Sequence, residues 1–540
     1  MLRSRFAAAA SAAVFVLASQ AVAAQVSVTT LFRSSDPLPT GETVDFFNGV
    51  ALSENGSWAA RATIGSEIAV LQDGDFVLRE GDALDGETVV AFGVVRLTVD
   101  GDPLFVTTTE DSAGARTTRI VLGDETLLRT GTSITLPTTG EMRTLHSILG
   151  IASEDDRIVA HVIVTGSGSF DSTLLVGGIS GNSIDWLESI TRGQNVPGLS
   201  RPYAGLVSAA PLDVTSNGIW AASVTLDDPS GLVPGLVAGG FGAAEPGTQT
   251  PDGALWASEP SSFYRVAVND NGRLASSGLV DLGGPEPVGV VYFEGDPIVV
   301  EGQNLIGTAD TVAEFDALDL QLTDADETVH WVRTTNGVTR LRAGGATLLK
   351  SSTTVLPNGQ TIGPVSPQFD ASVDGSSVLC VCALPTPAGF GFGIVLVERN
   401  LDGPSLCATV PNSTGQAGQL SFVGSRWIQV NGFSVRASQL PPSQFGLLLN
   451  GTGDAFVANP AGSDGNLCLG GTLGRHNSAL QSSGPAGEIL FPTDLTAIPQ
   501  PSQFIAVTSG QTLRFQVWHR DGSAAAPASN FTQARRIRFL

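Results

Sequence analysis

The sequence predicts an all-β fold. Its 64 glycines and 30 prolines separate short Val-, Thr- and Ile-rich runs, a pattern typical of strands joined by tight turns. No long stretch has the 3.6-residue period of an amphipathic helix. One turn pattern recurs seven times in the first 400 residues, and a different series of strands follows. We therefore predict a seven-bladed β-propeller over residues 25–400 and a β-sandwich over residues 404–540.

The first 24 residues are typical of a secretory signal peptide. Arg3 and Arg5 precede an uncharged, Ala- and Val-rich run over residues 6–18, and small residues follow up to Ala24. The apolar run, about 13 residues, is too short to span a bilayer core of roughly 30 Å, and a buried first helix is the alternative. We expect a mature chain that begins near Ala24 or Gln25 and has no transmembrane segment. The expected location is extracellular, at the cell surface or in the periplasm.

The charge balance excludes one class of partner. The chain has 28 basic and 52 acidic residues, a net charge of −24. Because phosphate binding depends on clustered cations, we expect no nucleic-acid partner. An anionic surface is compatible with uptake of Ca²⁺ outside the cell.

The repeat is a tight turn between two apolar strands. Counted at its last turn residue, the turn recurs with a mean period of about 53 residues, close to that of a propeller blade. These anchor residues are Gly56, Gly101, Asp156, Gly218, Gly272, Asp326 and Gly375.

The first copy predicts the four strands of one blade. Alternation and turn residues place them at 46–52, 58–64, 67–72 and 76–80. Four antiparallel strands with short connections cannot bury both faces alone, so each blade must pack on its neighbours.

The ends of the repeat array predict how the ring closes. A segment that resembles the end of a fourth strand lies at the N-terminus, before any first strand, whereas the last repeat has no clear fourth strand. We therefore predict that Ser27 to Arg33 pairs with Phe392 to Val397. An open solenoid or two stacked β-domains are the alternatives.

The repeats resemble an uncharacterised family of secreted bacterial proteins. Its repeats carry an Asn-Asp/Glu-x-Gly turn before a strand and an Arg-Glu-Gly-Asp-like segment after one, as in Leu78 to Asp82 here. The resemblance covers about residues 30–400. It implies a propeller-like fold and export, but no activity.

The segment 404–540 resembles a C-terminal module of secreted proteins from planctomycetes and myxobacteria. The resemblance implies an accessory module that serves attachment or binding. It rests on the segments Val410 to Gly415, Asn466 to Gly471, Val517 to Asp521 and Ala528 to Thr532.

Four cysteines in an exported chain suggest disulfide chemistry. Cys407 and Cys468 lie in the same predicted module, and we predict that they form a disulfide bond. Cys380 and Cys382 are two apart on a predicted strand, so a bond between them would distort it. We interpret them as buried thiols.

The motifs that would indicate an enzyme are absent from the sequence. There is no G-x-S-x-G, H-E-x-x-H or C-x-x-C, and the five histidines are scattered. We assign no catalytic residue and no cofactor, except that acidic turns offer oxygen ligands for Ca²⁺. The alternative is that Asp and Asn simply favour tight turns. The candidate calcium ligands are Asp155, Asp156, Asp270, Asp324 and Asp326.

A variable position on the second strand of each repeat suggests a ligand site. It lies five residues after each turn anchor, where its neighbours stay small or apolar. Ordinary packing between blades is the alternative reading. The ligand candidates at this position are Arg61, His161, Ser223, Ser277 and Trp331.

The sequence favours a secreted or cell-surface binding protein, with an extracellular polysaccharide or cell-surface component as its partner. Exposed aromatic residues grouped on one face, such as Trp186, Trp256 or Trp427, would support carbohydrate recognition. An extracellular carbohydrate-active hydrolase or lyase is the first alternative, by analogy of fold alone. A structural envelope component is the second.

Overall fold

The computed structural model describes most of the chain, and nearly all its regular elements are strands. The described residues are 26–166, 169–206, 212–250, 254–257, 263–284, 286–387, 389–399, 405–424, 426, 428, 431–508, 511–523 and 526–539. Within them, the only helical elements are two short 3₁₀ turns, Pro460–Gly462 and Asn477–Ala479. No helix in this part of the chain is long and apolar enough to cross a membrane. The predicted signal peptide lies outside the described residues.

The first described element is a single strand, β1 (Val26–Arg33), and three antiparallel sheets follow it. Sheet 1 contains β2 (Phe46–Leu52), β3 (Trp58–Ile64), β4 (Glu67–Gln72) and β5 (Asp75–Arg79). Sheet 2 contains β6 (Ala83–Leu84), β7 (Glu87–Leu97), β8 (Pro103–Glu110), β9 (Arg116–Leu122) and β10 (Glu125–Arg129). Sheet 3 contains β11 (Ser133–Thr135), β12 (Met142–Glu154), β13 (Arg157–Thr165), β14 (Phe170–Ser180) and β15 (Ser183–Thr191).

Four further sheets are also antiparallel, and in sheets 4 and 5 the first two strands pair with the same neighbouring strand. Sheet 4 contains β16 (Tyr203–Leu206), β17 (Leu212–Val214), β18 (Trp220–Asp228), β19 (Gly231–Ala238) and β20 (Phe241–Ala244). Sheet 5 contains β21 (Leu255–Trp256), β22 (Phe263–Val268), β23 (Leu274–Asp281), β24 (Val288–Phe293) and β25 (Asp296–Val300). Sheet 6 contains β26 (Val312–Leu322), β27 (Thr328–Thr334), β28 (Thr339–Ala343) and β29 (Ala346–Lys350). Sheet 7 contains β30 (Val365–Ala371), β31 (Ser377–Thr386) and β32 (Gly389–Arg399).

One strand from each sheet forms an inner ring. In chain order, these inner strands are β2, β7, β12, β17, β22, β26 and β30, and each contacts the next. The last of them, β30, contacts β2. The seven sheets therefore return on themselves.

The N-terminal strand completes sheet 7. β1 pairs antiparallel with β32, with Val26 opposite Arg399 and Arg33 opposite Gly393. The predicted pairing of the N-terminal strand with the last repeat is therefore confirmed. It supplies the fourth strand that the last repeat lacks.

Apolar clusters fill the spaces between neighbouring sheets. Each successive pair of sheets shares one cluster, and the pair formed by sheets 7 and 1 shares another. In that last cluster, Phe32 of β1 packs on Phe47 and Trp58 of sheet 1. Both faces of each sheet are thereby buried, as stacked repeats require.

The C-terminal strands form a separate group. They are β33 (Gln419–Gly424), β34 (Phe433–Ser438), β35 (Phe445–Ala458), β36 (Asn466–Arg475), β37 (Gln481–Ser482), β38 (Ile489–Thr493), β39 (Ile498–Pro499), β40 (Phe504–Ile505), β41 (Thr512–Ser523), β42 (Ala526–Phe531) and β43 (Arg535–Arg538). β33, β34 and β38 make one sheet, and β36, β35, β41 and β42 make another, to which β37 and β43 add. One apolar core contains residues of both sheets, including Phe433 and Phe515.

The cysteines have the states that the sequence predicts. Cys407 and Cys468 form a disulfide bond with a Cα–Cα distance of 6.3 Å. Cys380 and Cys382 are free and buried, with their sulfur atoms 3.6 Å apart.

Removing the disulfide should destabilise the C-terminal strands. The bond closes a loop with a sequence separation of 61, for which the chain-entropy model gives about 4 kcal/mol. We expect the double variant C407A/C468A to lose about this free energy of unfolding in urea titrations. Dithiothreitol should lower the stability of the native protein but not of the variant. A further loss in the reduced variant would contradict the assignment of Cys380 and Cys382 as free thiols.

Candidate functional site

A polar cavity lies in the middle of the ring, at the end where the repeated turns are found. It has a volume of about 100 Å³ and is lined by the ends of the inner strands and by the turns that follow them. Each of the seven sheets, with the turn that follows its inner strand, contributes at least one charged or amide side chain to its lining, and Asp155 adds a second from sheet 3. In chain order, the other seven are Glu54, Arg96, Glu154, Asp213, Arg265, Gln321 and Asp370.

Four of these side chains occupy equivalent positions in their repeats. Counting five residues back from each turn anchor gives Ala51, Ile151 and Ala267 in three sheets, and polar residues in the other four. The polar residues are Arg96, Asp213, Gln321 and Asp370. The ligand candidates predicted from the sequence lie five residues after each turn anchor, so these four residues were not among them. A charged residue on an otherwise apolar strand is the signal that could have identified them.

Three of the four tie neighbouring sheets together. Asp213 Oδ2 accepts a hydrogen bond from the backbone N–H of Val268 in sheet 5, at 2.9 Å. Asp370 Oδ2 accepts from Leu52 N–H in sheet 1, at 2.7 Å. Gln321 Oε1 accepts from Ala371 N–H in sheet 7, at 2.7 Å. The cavity wall is therefore held by side chains that bridge adjacent inner strands.

Burial in the cavity perturbs its carboxyl groups. Burial, and to a smaller extent the nearby Asp213 carboxylate, raise the pKa of Glu154 to about 9, against a hydrogen bond from Ser216 N–H. Burial also raises the pKa of Glu54, Asp213 and Asp370. Glu154 is therefore protonated at neutral pH and can donate a hydrogen bond.

Two arginines moderate the negative charge of the cavity. Arg265 and Arg96 both lower the pKa of Asp213, and Arg96 also lowers that of Asp370. Both groups nevertheless have a raised pKa because burial dominates.

The predicted calcium ligands lie in the turns around the cavity mouth. Asp155 lines the cavity, and its pKa is raised by burial and by Asp156, Asp270 and Asp324. Asp326 accepts hydrogen bonds from two asparagines of the preceding turn and lies 3.8 Å from a guanidinium nitrogen of Arg273. Asp156 is exposed. In the described part of the chain, no group of three or more His, Cys, Asp or Glu side chains is placed to hold a metal ion. Calcium binding therefore stays a prediction.

The same turns also bind one another. Asp324 accepts a hydrogen bond from Asp270 N–H at 2.9 Å, and Asn271 donates to the backbone oxygen of Asp324 at the same distance. Asn217 makes the equivalent bond to Asp270 O, at 2.9 Å. The recurring Asn and Asp residues therefore link each of these turns to the next one around the ring.

The predicted ligand candidates on the second strands lie between sheets. Arg61 donates to Gly93 O of sheet 2 at 2.9 Å, and Trp331 donates to Val365 O of sheet 7 at 2.8 Å. Buried His161 contacts Ser172 Oγ at 2.9 Å, and burial lowers the pKa of this histidine to about 4. Ser223 and Ser277 are buried. None of these five residues is among those that line the central cavity, and a ligand role for them stays a prediction.

The aromatic residues considered for sugar recognition do not form one exposed group. Trp256 is buried and packs edge-on against Tyr292, with 5.3 Å between ring centroids. Trp186 is partly buried against the core shared by sheets 2 and 3. Trp427 lies outside the described residues.

The C-terminal group of strands reaches the same end of the ring. Backbone N–H of Arg426 donates to Glu398 Oε1 at 3.0 Å, and its guanidinium donates to Ser377 Oγ at 3.1 Å. The charge of Arg426 opposes the burial that raises the pKa of Glu54, and it contributes to the lowered pKa of Asp374; both carboxyl groups lie in the turns at the cavity mouth. The segment before β34 therefore lies beside the mouth.

Comparisons with known proteins leave the chain without an assigned family. No protein-family model matches it, and no curated protein matches it. Among solved structures, it is similar to an α-L-arabinofuranosidase from Fusarium graminearum (11% identity, 69% of this chain and 98% of that chain, TM-score 0.28). It is also similar to an α-L-arabinanase from Penicillium chrysogenum (10%, 69% and 98%, 0.28) and to the sialidase of Trypanosoma rangeli (12%, 96% and 97%, 0.27). Scores this low assign neither a fold nor an activity to this chain.

The raised pKa of Glu154 predicts how the free energy of unfolding changes with pH. Its pKa is about 9 in the folded state and 4.5 as the ordinary value. Between these values the unfolded state loses its proton first, so the free energy of unfolding falls as pH rises from 4.5 to 9. E154Q should be more stable than the native protein at pH 8 by at least about 1.4 kcal/mol, the equivalent of one pKa unit.

Urea unfolding at pH 4.5, 6.5 and 8 measures this difference. We expect the two proteins to be equally stable near pH 4.5 and to separate as pH rises. The control is E488Q, at an exposed position outside the ring, which should follow the native protein throughout. An E154Q difference that is constant with pH would contradict the raised pKa.

Proposed function

We propose that this protein is a secreted or cell-surface binding protein that takes an extracellular polysaccharide at the mouth of the central cavity. In this proposal the seven sheets are the blades of a β-propeller closed by its N-terminal strand. The C-terminal strands are a β-sandwich module that serves attachment. The observation that carries the proposal is that every sheet contributes at least one charged or amide side chain to a single cavity.

The side chains of the cavity offer both kinds of hydrogen-bonding partner to hydroxyl groups. A hydroxyl donates one hydrogen bond and accepts others. Protonated Glu154 and the two arginines are donors, whereas Asp213 and Gln321 offer acceptor oxygens. A ligand rich in hydroxyl groups therefore suits this mixture better than an apolar ligand does.

The size of the cavity limits what enters it. Its volume of about 100 Å³ is below the roughly 300–1,000 Å³ of ordinary small-molecule sites. The cavity takes a hydroxyl or hydroxymethyl group rather than a whole sugar residue. The rest of the polymer then lies across the turns at the mouth, beside Asp155 and Arg426.

A glycoside hydrolase is the second candidate, and one observation favours it. Glu154 has a raised pKa and lies near a second carboxyl group, that of Asp213, as in a pair of glycosidase carboxyls. Catalysis would also need the second group ionised and free to act. The pKa of Asp213 is itself raised by burial, and its Oδ2 accepts from Val268. Binding is therefore the better supported function.

A pull-down of residues 25–540 on a panel of polysaccharides and intact bacterial cells tests the proposal. We expect retention on one class of glycan. E154A and D213A should each weaken it by about tenfold, because each variant loses a buried hydrogen-bonding group whose removal costs about 1–3 kcal/mol. E488A, at an exposed position outside the ring, is the matched control and should be retained like the native protein.

The other outcomes separate the alternatives. Release of reducing ends from the retained glycan, abolished in E154Q, would favour the hydrolase. No retention on any polymer or cell would contradict the binding function and favour a structural envelope component. Retention that chelator abolishes would support calcium at the acidic turns.

A further inference from the structure

A second cavity lies between sheets 5 and 6, away from the central one. It has a volume of about 170 Å³. Phe293, Ile298 and Ile306 provide apolar walls, and His330 and Arg342 line it from neighbouring strands of sheet 6. The two side chains belong to residues that are directly paired between β27 and β28.

Arg342 is a buried cation that lacks a counter-charge. The residue is 2% exposed. Its Nη2 donates to the backbone oxygen of Ile306 at 3.0 Å and to that of Gly345, whereas Nε and Nη1 have no hydrogen-bond partner. No described carboxylate forms an ion pair with it, in contrast to Arg340, which pairs with Asp310. A buried charge without a partner is unfavourable unless something compensates it.

The charge on Arg342 affects the titration of its neighbour. Burial, and to a smaller extent the guanidinium of Arg342, lower the pKa of His330 to about 3. Burial and the nearby Arg340 lower the pKa of Arg342 itself. Asp326 also lines the cavity, but its carboxylate already accepts hydrogen bonds from Asn269 and Asn271. Arg342 is therefore the only cationic side chain among the described residues that line this cavity.

We propose that this cavity is a binding site for a small oxyanion, such as a sulfate, phosphate or carboxylate group, with Arg342 as its main ligand. A guanidinium presents parallel N–H donors that match the two oxygens of such a group. Protein atoms cover Nε and Nη1 of Arg342. Binding therefore requires the guanidinium to turn so that these N–H groups face the cavity. The anion then supplies the counter-charge that the fold lacks.

Calorimetric titration of the native protein with sodium sulfate, sodium phosphate and sodium acetate, at matched ionic strength, tests this proposal. We expect saturable binding of one equivalent of at least one of these ions. R342M should abolish it. R333M, which removes an exposed arginine of β27, and E154Q, in the central cavity, should leave it unchanged. The last control keeps this site distinct from the proposed polysaccharide site.

Two further arms complete the test. If R342M does not fold, R342K keeps the positive charge, and we expect it to bind the anion at least tenfold more weakly because it lacks the planar fork.

Tighter binding of an oligogalacturonate than of acetate would identify the anion as the acidic group of a polysaccharide. Binding of the inorganic ions alone would identify a free anion. Absence of binding to the native protein, or equal binding to R342M, would overturn the proposal.

Discussion

The structure depends on one strand pairing, that of β1 with β32. These segments lie at opposite ends of the repeat array, and their pairing joins the first residues of the ring to the last. It also places Phe32 in the apolar cluster between sheets 7 and 1. Without it, sheet 7 would expose an unpaired edge, and the contact between β30 and β2 would lose its support. Closure costs chain entropy only once, whereas every contact between sheets benefits from it.

Closure gives the central cavity its composition. Because the inner strands return on themselves, side chains from all seven sheets, which are far apart in the sequence, face one small volume. Asp213, Gln321 and Asp370 use this geometry to bridge adjacent strands through backbone N–H groups. The same burial that makes these bonds strong raises the pKa of the carboxyl groups. Stability of the ring and chemistry of the cavity therefore rest on the same residues.

Much of the fold could be predicted from the sequence because the repeat unit is local. The strands predicted at 46–52, 58–64 and 67–72 are present with those bounds, and β5 begins one residue before the predicted 76. The tight turns fix these bounds, since each needs residues that tolerate a positive φ, as Gly56 does with φ 95°.

The candidate site was less predictable because it depends on which face of the inner strand meets the centre of the ring. Counting forward from the turns identified Arg61, His161 and Trp331, which contact neighbouring sheets or strands. Counting back would have identified Asp213 and Asp370. The unpaired charge of Arg342 depends on which carboxylates fold beside it, and spacing in the sequence carries no such information.

Hydrogen exchange of the intact protein, followed by mass spectrometry, tests ring closure most directly. The amides of residues 26–33 should be protected as strongly as those of β32 and should exchange together with them when the ring unfolds. Exchange of 26–33 at the rate of an unstructured peptide, while 389–399 stay protected, would contradict the closed ring on which the account depends.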